Sequence, residues 1–202
     1  MEAEALTRPR LIRRGVSLEI FTLAWMSIEA AVAIGARLAA GSVALLAFGI
    51  DSVLEFLAAA VVLRVFRAEQ AGEEHPGGER RALRVIGGTF FLLAAYIAID
   101  GAYTLLSSSE PDASTAGLII AGAALLVMPT LAALKRRTGS ELESEALLAD
   151  AAESFFCAYL SGTVLIGVVL NAVFGWWWAD PLAALLVIPL VVKEGLEALE
   201  ED

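Results

Sequence analysis

Histidine and cysteine are almost absent from this chain of 202 residues, and basic residues are scarce. The single cysteine, Cys157, excludes an intramolecular disulfide framework, and His75 has no second histidine with which to form a paired site. Lys and Arg number 14 against 24 Asp and Glu, and the formal net charge of -10 argues against nucleic-acid binding. No glycine-rich phosphate loop and no Ser-His pairing in the apolar segments is present, so we do not expect an enzyme.

Apolar residues are abundant. They make up 58% of the chain, whereas soluble domains usually contain about 45–50%. A membrane-spanning helix needs about 20 mostly apolar residues. The sequence therefore predicts an all-α, multi-pass membrane protein, expected in the lipid of a bacterial cytoplasmic membrane. Its six transmembrane helices are predicted at residues 16–38, 43–66, 83–106, 114–134, 146–172 and 176–193.

The predicted domains are a cytoplasmic N-terminal segment at 1–15, a six-helix transmembrane domain at 16–198 and a cytoplasmic tail at 199–202. Positive charges favour cytoplasmic loops, and here they concentrate in the N-terminal segment and in every second loop. Both termini are therefore predicted to be cytoplasmic. The basic residues that carry this prediction are Arg8, Arg10, Arg13 and Arg14, then Arg67, Arg80, Arg81 and Arg84, then Lys135, Arg136 and Arg137.

Acidic residues within two apolar segments are the main functional signal. Asp51 and Glu55 stand four residues apart, and so do Glu153 and Cys157, a spacing that puts each pair on one helix face. A carboxylate in hydrocarbon is unfavourable by several kcal/mol, so such residues usually face an interior cavity. Two such pairs predict a four-ligand site for a divalent cation, and mixed oxygen and sulfur donors favour zinc.

Other acidic residues and the histidine allow more than one interpretation. Asp150 lies on the same side as Glu153 and is either a further ligand or a residue of a cytoplasmic funnel. Glu29 is predicted at the same depth as Asp51, and it either joins or controls the site or hydrogen bonds to a neighbouring helix. His75 belongs to an acidic loop, which is either a solvated turn or a weak second metal site. The predicted ligands themselves could instead be buried structural residues.

Three stretches carry a family resemblance: GSVALLAFGIDSVLEFLAAAVVLRVFR, LLADAAESFFCAYLSGTVLIG and WWWADPLAALLVIPLVVKEG. They resemble the second, fifth and sixth helices of the cation diffusion facilitators, and the likeness runs from about residue 16 to 198. The resemblance implies that Asp51 and Glu55 correspond to the metal-binding pair of the second helix. Glu153 and Cys157 then correspond to the pair of the fifth helix, where many zinc-transporting members have His and nearly all have Asp, respectively.

The resemblance also implies a function. It indicates a divalent metal efflux transporter of the zinc type that exchanges the metal for protons; cadmium, iron, cobalt and manganese are alternative substrates. The cytoplasmic C-terminal domain of that family is not in this sequence, so we expect a short, membrane-only member whose homodimer forms through transmembrane helices. The alternative is a non-transporting membrane metal-binding or accessory protein.

Overall fold

The fold is entirely helical in the part of the chain that the structure describes. A computed structural model describes the backbone of residues 2–40, 43–72, 77–107 and 115–200, and the side chains of 8–35, 49–72, 77–107, 115–179 and 181–200. These ranges contain no strand, which confirms the all-α prediction. The helices are α1 (Glu2–Ala40), α2 (Val43–Gln70), α3 (Gly78–Ser107), α4 (Thr115–Leu142), α5 (Glu145–Phe174) and α6 (Ala179–Glu200).

The chain is a multi-pass membrane protein. Among the described residues, four helical segments are long and apolar enough to cross a bilayer: Arg8–Gly35, Gly78–Ser107, Thr115–Leu142 and Glu145–Phe174. Large apolar side chains also cover the outside of the bundle, as expected for a surface that faces lipid; Leu106 and Leu126 are 87% and 77% exposed. The side of the membrane on which the termini lie stays a prediction.

The helices extend beyond the apolar segments that predicted them. The N-terminal segment at 1–15 is helical from Glu2 onward, and α6 continues to Glu200. The predicted break at 135–140 is wrong, because α4 continues through it to Leu142. The chain reverses at Glu143, which has a positive φ of 56°, and at Ser144, whose side chain accepts a hydrogen bond from the Leu147 backbone and so caps α5.

Helix α5 lies at the centre of the packing. It contacts α2, α3, α4 and α6, while α1 packs against α2 and α4, and α3 packs against α6. On the α3 side of α5, the rings of Phe90 and Phe156 meet edge to face with centroids 5.8 Å apart. This arrangement brings α2 and α5 into direct contact in the interior of the bundle.

Candidate metal centre

The predicted pairs of α2 and α5 meet inside the bundle. Asp51, Glu55, Glu153 and Cys157 are all buried, with Cys157 only 1% exposed. The hydroxyl of Ser154 on α5 donates a hydrogen bond of 2.6 Å to Oε1 of Glu55 on α2. Helices α2 and α5 therefore contact one another through polar side chains in the interior of the bundle.

Cys157 connects α5 with both α1 and α2. Its thiol donates to Oε1 of Glu29 at 3.8 Å, and the carboxyl group of Asp51 lies beside it. Helix α1 was not one of the two helices whose pairs formed the predicted four-ligand site. The structure thus places carboxyl groups from α1 and α2 around one thiol from α5.

Glu29 is held in place by two donors. The indole Nε1 of Trp25, one turn earlier in α1, donates to Oε2 at 2.7 Å, and the Ser52 hydroxyl of α2 donates to Oε1 at 2.9 Å. Of the two interpretations of Glu29, the hydrogen bond to a neighbouring helix is present, and so is the contact with the predicted ligand Cys157. A role as a metal ligand stays a prediction.

Several carboxylate oxygens of the centre have no hydrogen-bond donor. They are Oδ2 of Asp51, Oε2 of Glu55 and both oxygens of Glu153, and each is buried. Glu153 also feels the negative charges of Asp51 and Glu55. Buried acceptors without donors are costly, and close like charges add repulsion, whereas a dication would relieve both.

The predicted ligands share a region without forming a finished coordination shell. Among the residues described, no three or more His, Cys, Asp or Glu side chains stand in positions that could already hold a metal ion. A shell of three or more of these protein ligands would require their side chains to lie closer together. The assignment of Asp51, Glu55, Glu153 and Cys157 as ligands stays a prediction.

A second buried cluster surrounds Lys135, whose predicted position in a loop is wrong because α4 continues through it. The ammonium group of Lys135 lies 2.5 Å from Oδ2 of Asp150 and 3.7 Å from Oε2 of Glu19, and all three side chains are fully buried. It also donates to the Ser154 hydroxyl at 3.1 Å. Asp150 is thus the partner of a buried lysine, which neither interpretation of Asp150 anticipated.

Helical periodicity was the signal that could have found Lys135 and Glu19. On α4, Lys135 continues a buried face that includes Leu131 and Leu142. On α1, Glu19 lies ten residues before Glu29 on the same buried face, with Met26 between them. Charge alone, in contrast, groups Lys135 with Arg136 and Arg137 in a predicted loop.

His75 lies outside the described residues, and so does the side chain of Asp180. Asp100 is half-buried on α3 and contacts Tyr96 rather than the predicted ligands.

Comparison with known proteins gives a consistent result. Residues 20–202 match the sequence profile of the cation efflux transmembrane domain. An uncharacterized transporter of Synechocystis sp. is 33% identical over 187 residues, 87% of this chain and 60% of that protein. The cation-efflux pump FieF of Shewanella oneidensis is 30% identical over 80% of this chain and 56% of that protein. The manganese efflux system protein MneS of Bacillus subtilis is 29% identical, over 80% of this chain and 57% of that protein. The chain therefore spans less than two thirds of the length of these relatives.

Proposed function

We propose that this chain exports a divalent metal cation through the buried centre between α1, α2 and α5. The reason is that the chain belongs to the family of cation efflux transmembrane domains. The observation that carries the proposal is the set of buried carboxylate oxygens without donors on Asp51, Glu55 and Glu153. Hydrophobic surroundings make such groups unfavourable unless a cation or a proton joins them.

The donor types suggest which cations fit. Asp51, Glu55 and Glu153 offer hard oxygen donors, and Cys157 offers a soft sulfur donor, a mixture that suits borderline zinc. Zinc is therefore the substrate we favour, with cadmium, iron, cobalt and manganese as alternatives. The name of one relative specifies manganese, so manganese is the natural comparison ion. Glu29 would supply a further oxygen from α1, because it already contacts Cys157.

Competition between protons and the metal provides the coupling in this proposal. Desolvation disfavours the charged form of a buried carboxyl group or thiol, whereas a bound dication favours it. Metal binding would release protons from the centre, and protons arriving from the outer side would release the metal. Rocking of helices around a fixed site would expose it to each side in turn. The proposal also includes a homodimer that forms through membrane helices, with both termini of each chain in the cytoplasm.

Metal flux into proteoliposomes tests the function. We expect Glu55→Gln to reduce zinc flux by about tenfold or more, since it removes one ligand charge with little change in volume. Glu141→Gln is the matched control, because Glu141 is exposed and pairs with Arg137 on the surface. Zinc flux through Glu55→Gln at the rate of the unaltered protein would reject the proposal.

The same assay separates the competing interpretations. If the unaltered protein binds zinc but shows no flux in either direction, the non-transporting membrane metal-binding protein is the correct reading. Glu29→Gln tests the added ligand from α1. Unchanged zinc affinity and flux in that variant would remove Glu29 from the centre and leave the four ligands of α2 and α5.

A further inference from the structure

Lys135 is the one basic residue among the buried charged side chains that the structure describes. Six acids share the buried interior with it: Glu19, Glu29, Asp51, Glu55, Asp150 and Glu153. Lys135 is also one of two lysines in the chain, and the other, Lys193, is exposed on α6. Burying an ammonium group is unfavourable unless anions surround it, so its place in this interior requires an explanation.

The surroundings of this ammonium group resemble those of a bound cation. Three oxygens from two helices lie around it: Oδ2 of Asp150 on α5 at 2.5 Å, Oε2 of Glu19 on α1 at 3.7 Å, and the Ser154 hydroxyl on α5 at 3.1 Å. Lys135 itself belongs to α4. Both oxygens of Glu19 are buried without any hydrogen-bond partner, and the ammonium charge of Lys135 offsets part of the cost of that burial.

Ser154 connects this cluster to the candidate metal centre. Its hydroxyl accepts the hydrogen bond from Lys135 and donates the 2.6 Å hydrogen bond to Oε1 of Glu55. One side chain therefore separates the ammonium group from a predicted ligand. Because the interior contains little water, a positive charge one side chain away makes the binding of a second cation less favourable.

We infer that Lys135 is a built-in counter-cation, whose charge lies close to Glu55 through Ser154, repels the transported metal and so weakens metal binding enough for release. This inference rests on the proposed function, because it concerns the affinity of the same centre. A transporter needs binding that is reversible on both sides of the membrane, and a tethered charge sets that balance without occupying a ligand position. The Lys135 side chain acts through Ser154 and Glu55 and is a positioning residue.

Zinc affinity of purified, full-length variants tests the inference by isothermal titration in detergent. We expect Lys135→Met to bind zinc about tenfold more tightly or better, since it removes a repelling charge. Lys135→Arg should keep the original affinity because the charge remains. The matched control is Lys193→Met, which makes the same chemical change at an exposed lysine paired with Glu197 and should leave zinc affinity unchanged.

Asp150 supplies the opposite change and a way to complete the test if Lys135→Met does not fold. Asp150→Asn leaves the ammonium group undercompensated, so zinc affinity should fall. The double variant Lys135→Met/Asp150→Asn restores the charge balance, and its affinity should return to within about threefold of the original value. If Asp150 were a metal ligand instead, the double variant would remain weak, and the inference would be overturned.

The outcomes distinguish this inference from the proposed function. Zinc binding by the unaltered protein together with no gain in Lys135→Met, in a sample that is monodisperse and helical, rejects the counter-cation alone. Absence of zinc binding in both proteins rejects the counter-cation and the metal centre together. A gain in Lys135→Met that Lys135→Arg does not share supports the inference, because a merely structural ion pair would lose stability without gaining affinity.

Discussion

Cys157 is the residue that sets the chemical character of the candidate centre. It is buried between the carboxyl groups of Glu29 and Asp51, so a metal held by these groups would meet one sulfur among several oxygens. Thiolates prefer soft ions such as cadmium, whereas carboxylates alone suit manganese. The side chain of one residue should therefore decide how the centre ranks its substrates.

Replacing this sulfur by oxygen should change selectivity more than overall binding. We expect Cys157→Ser to weaken cadmium binding by about tenfold or more and manganese binding by less than about threefold. Competition against a fluorescent divalent-ion chelator measures both affinities in the same preparation. Ser161→Ala is a suitable control, because Ser161 lies one turn away and its hydroxyl only hydrogen bonds to the Cys157 carbonyl. Equal losses for the two ions would show that the sulfur is not a ligand.

At the residue scale, the sequence predicted the pairs on α2 and α5 because acidic residues in an apolar run are conspicuous. Their four-residue spacing fixed the helix face they share, and the structure confirms that Glu55 meets α5. The pairing of Lys135 with Glu19 was not predictable in this way. It joins residues of different helices, and Lys135 precedes two exposed arginines that suggested a loop.

At the scale of elements, α3 and α6 approach closely through glycine. A Cβ atom built on Gly87 would lie 2.9 Å from Cγ of Leu199 and 3.2 Å from the carbonyl oxygen of Gly195, both on α6. The next residue, Gly88, has no atom within 4 Å of such a position. Small residues at contacts of this kind let membrane helices pack by van der Waals attraction.

These two neighbouring glycines make a matched pair for testing the contact. Gly87→Ala should destabilise the bundle by about 1–3 kcal/mol, because the added methyl group forces Leu199 or the α6 backbone to move. Gly88→Ala should be neutral or stabilising by less than about 1 kcal/mol, since alanine restricts the unfolded chain and meets nothing in the folded one. Thermal unfolding in detergent, followed by helical circular dichroism, measures both. Equal melting temperatures for the two variants would contradict the close approach.

Helix ends were the part of the fold that the sequence predicted least well. The length of an apolar run matches the thickness of the bilayer core, whereas a helix continues for as long as its backbone hydrogen bonds are satisfied. Helix α4 therefore passes through the basic residues at 135–137 and ends at Leu142. The turn that follows depends on the positive φ of Glu143 and the cap of Ser144, which hydropathy does not detect.

At the scale of the whole molecule, the site depends on helices that are distant in sequence. The hydrogen bond between Ser154 and Glu55 joins positions 99 residues apart, and the one between Cys157 and Glu29 spans 128. The number and order of helices followed from composition. Which helices become neighbours depends on packing between their surfaces, so the sequence left two interpretations of Glu29 on α1, and the structure places its carboxyl group beside Cys157.

Access to the centre is the property of the whole bundle that the proposed transport cycle requires. Cys157 is the only cysteine of the chain and is 1% exposed, so it can react with a maleimide only when the bundle opens. We expect slow alkylation in proteoliposomes and a further decrease in its rate of about fivefold or more when zinc occupies the centre.

The variant Cys157→Ser/Ser140→Cys, whose thiol replaces an exposed serine on α4, should react quickly with or without zinc. Protection of Cys157 should also disappear in Glu55→Gln, because that variant lacks a ligand. Alkylation that is rapid and insensitive to zinc would mean that the thiol is open to water in the resting protein, and that no closed centre forms around the ion.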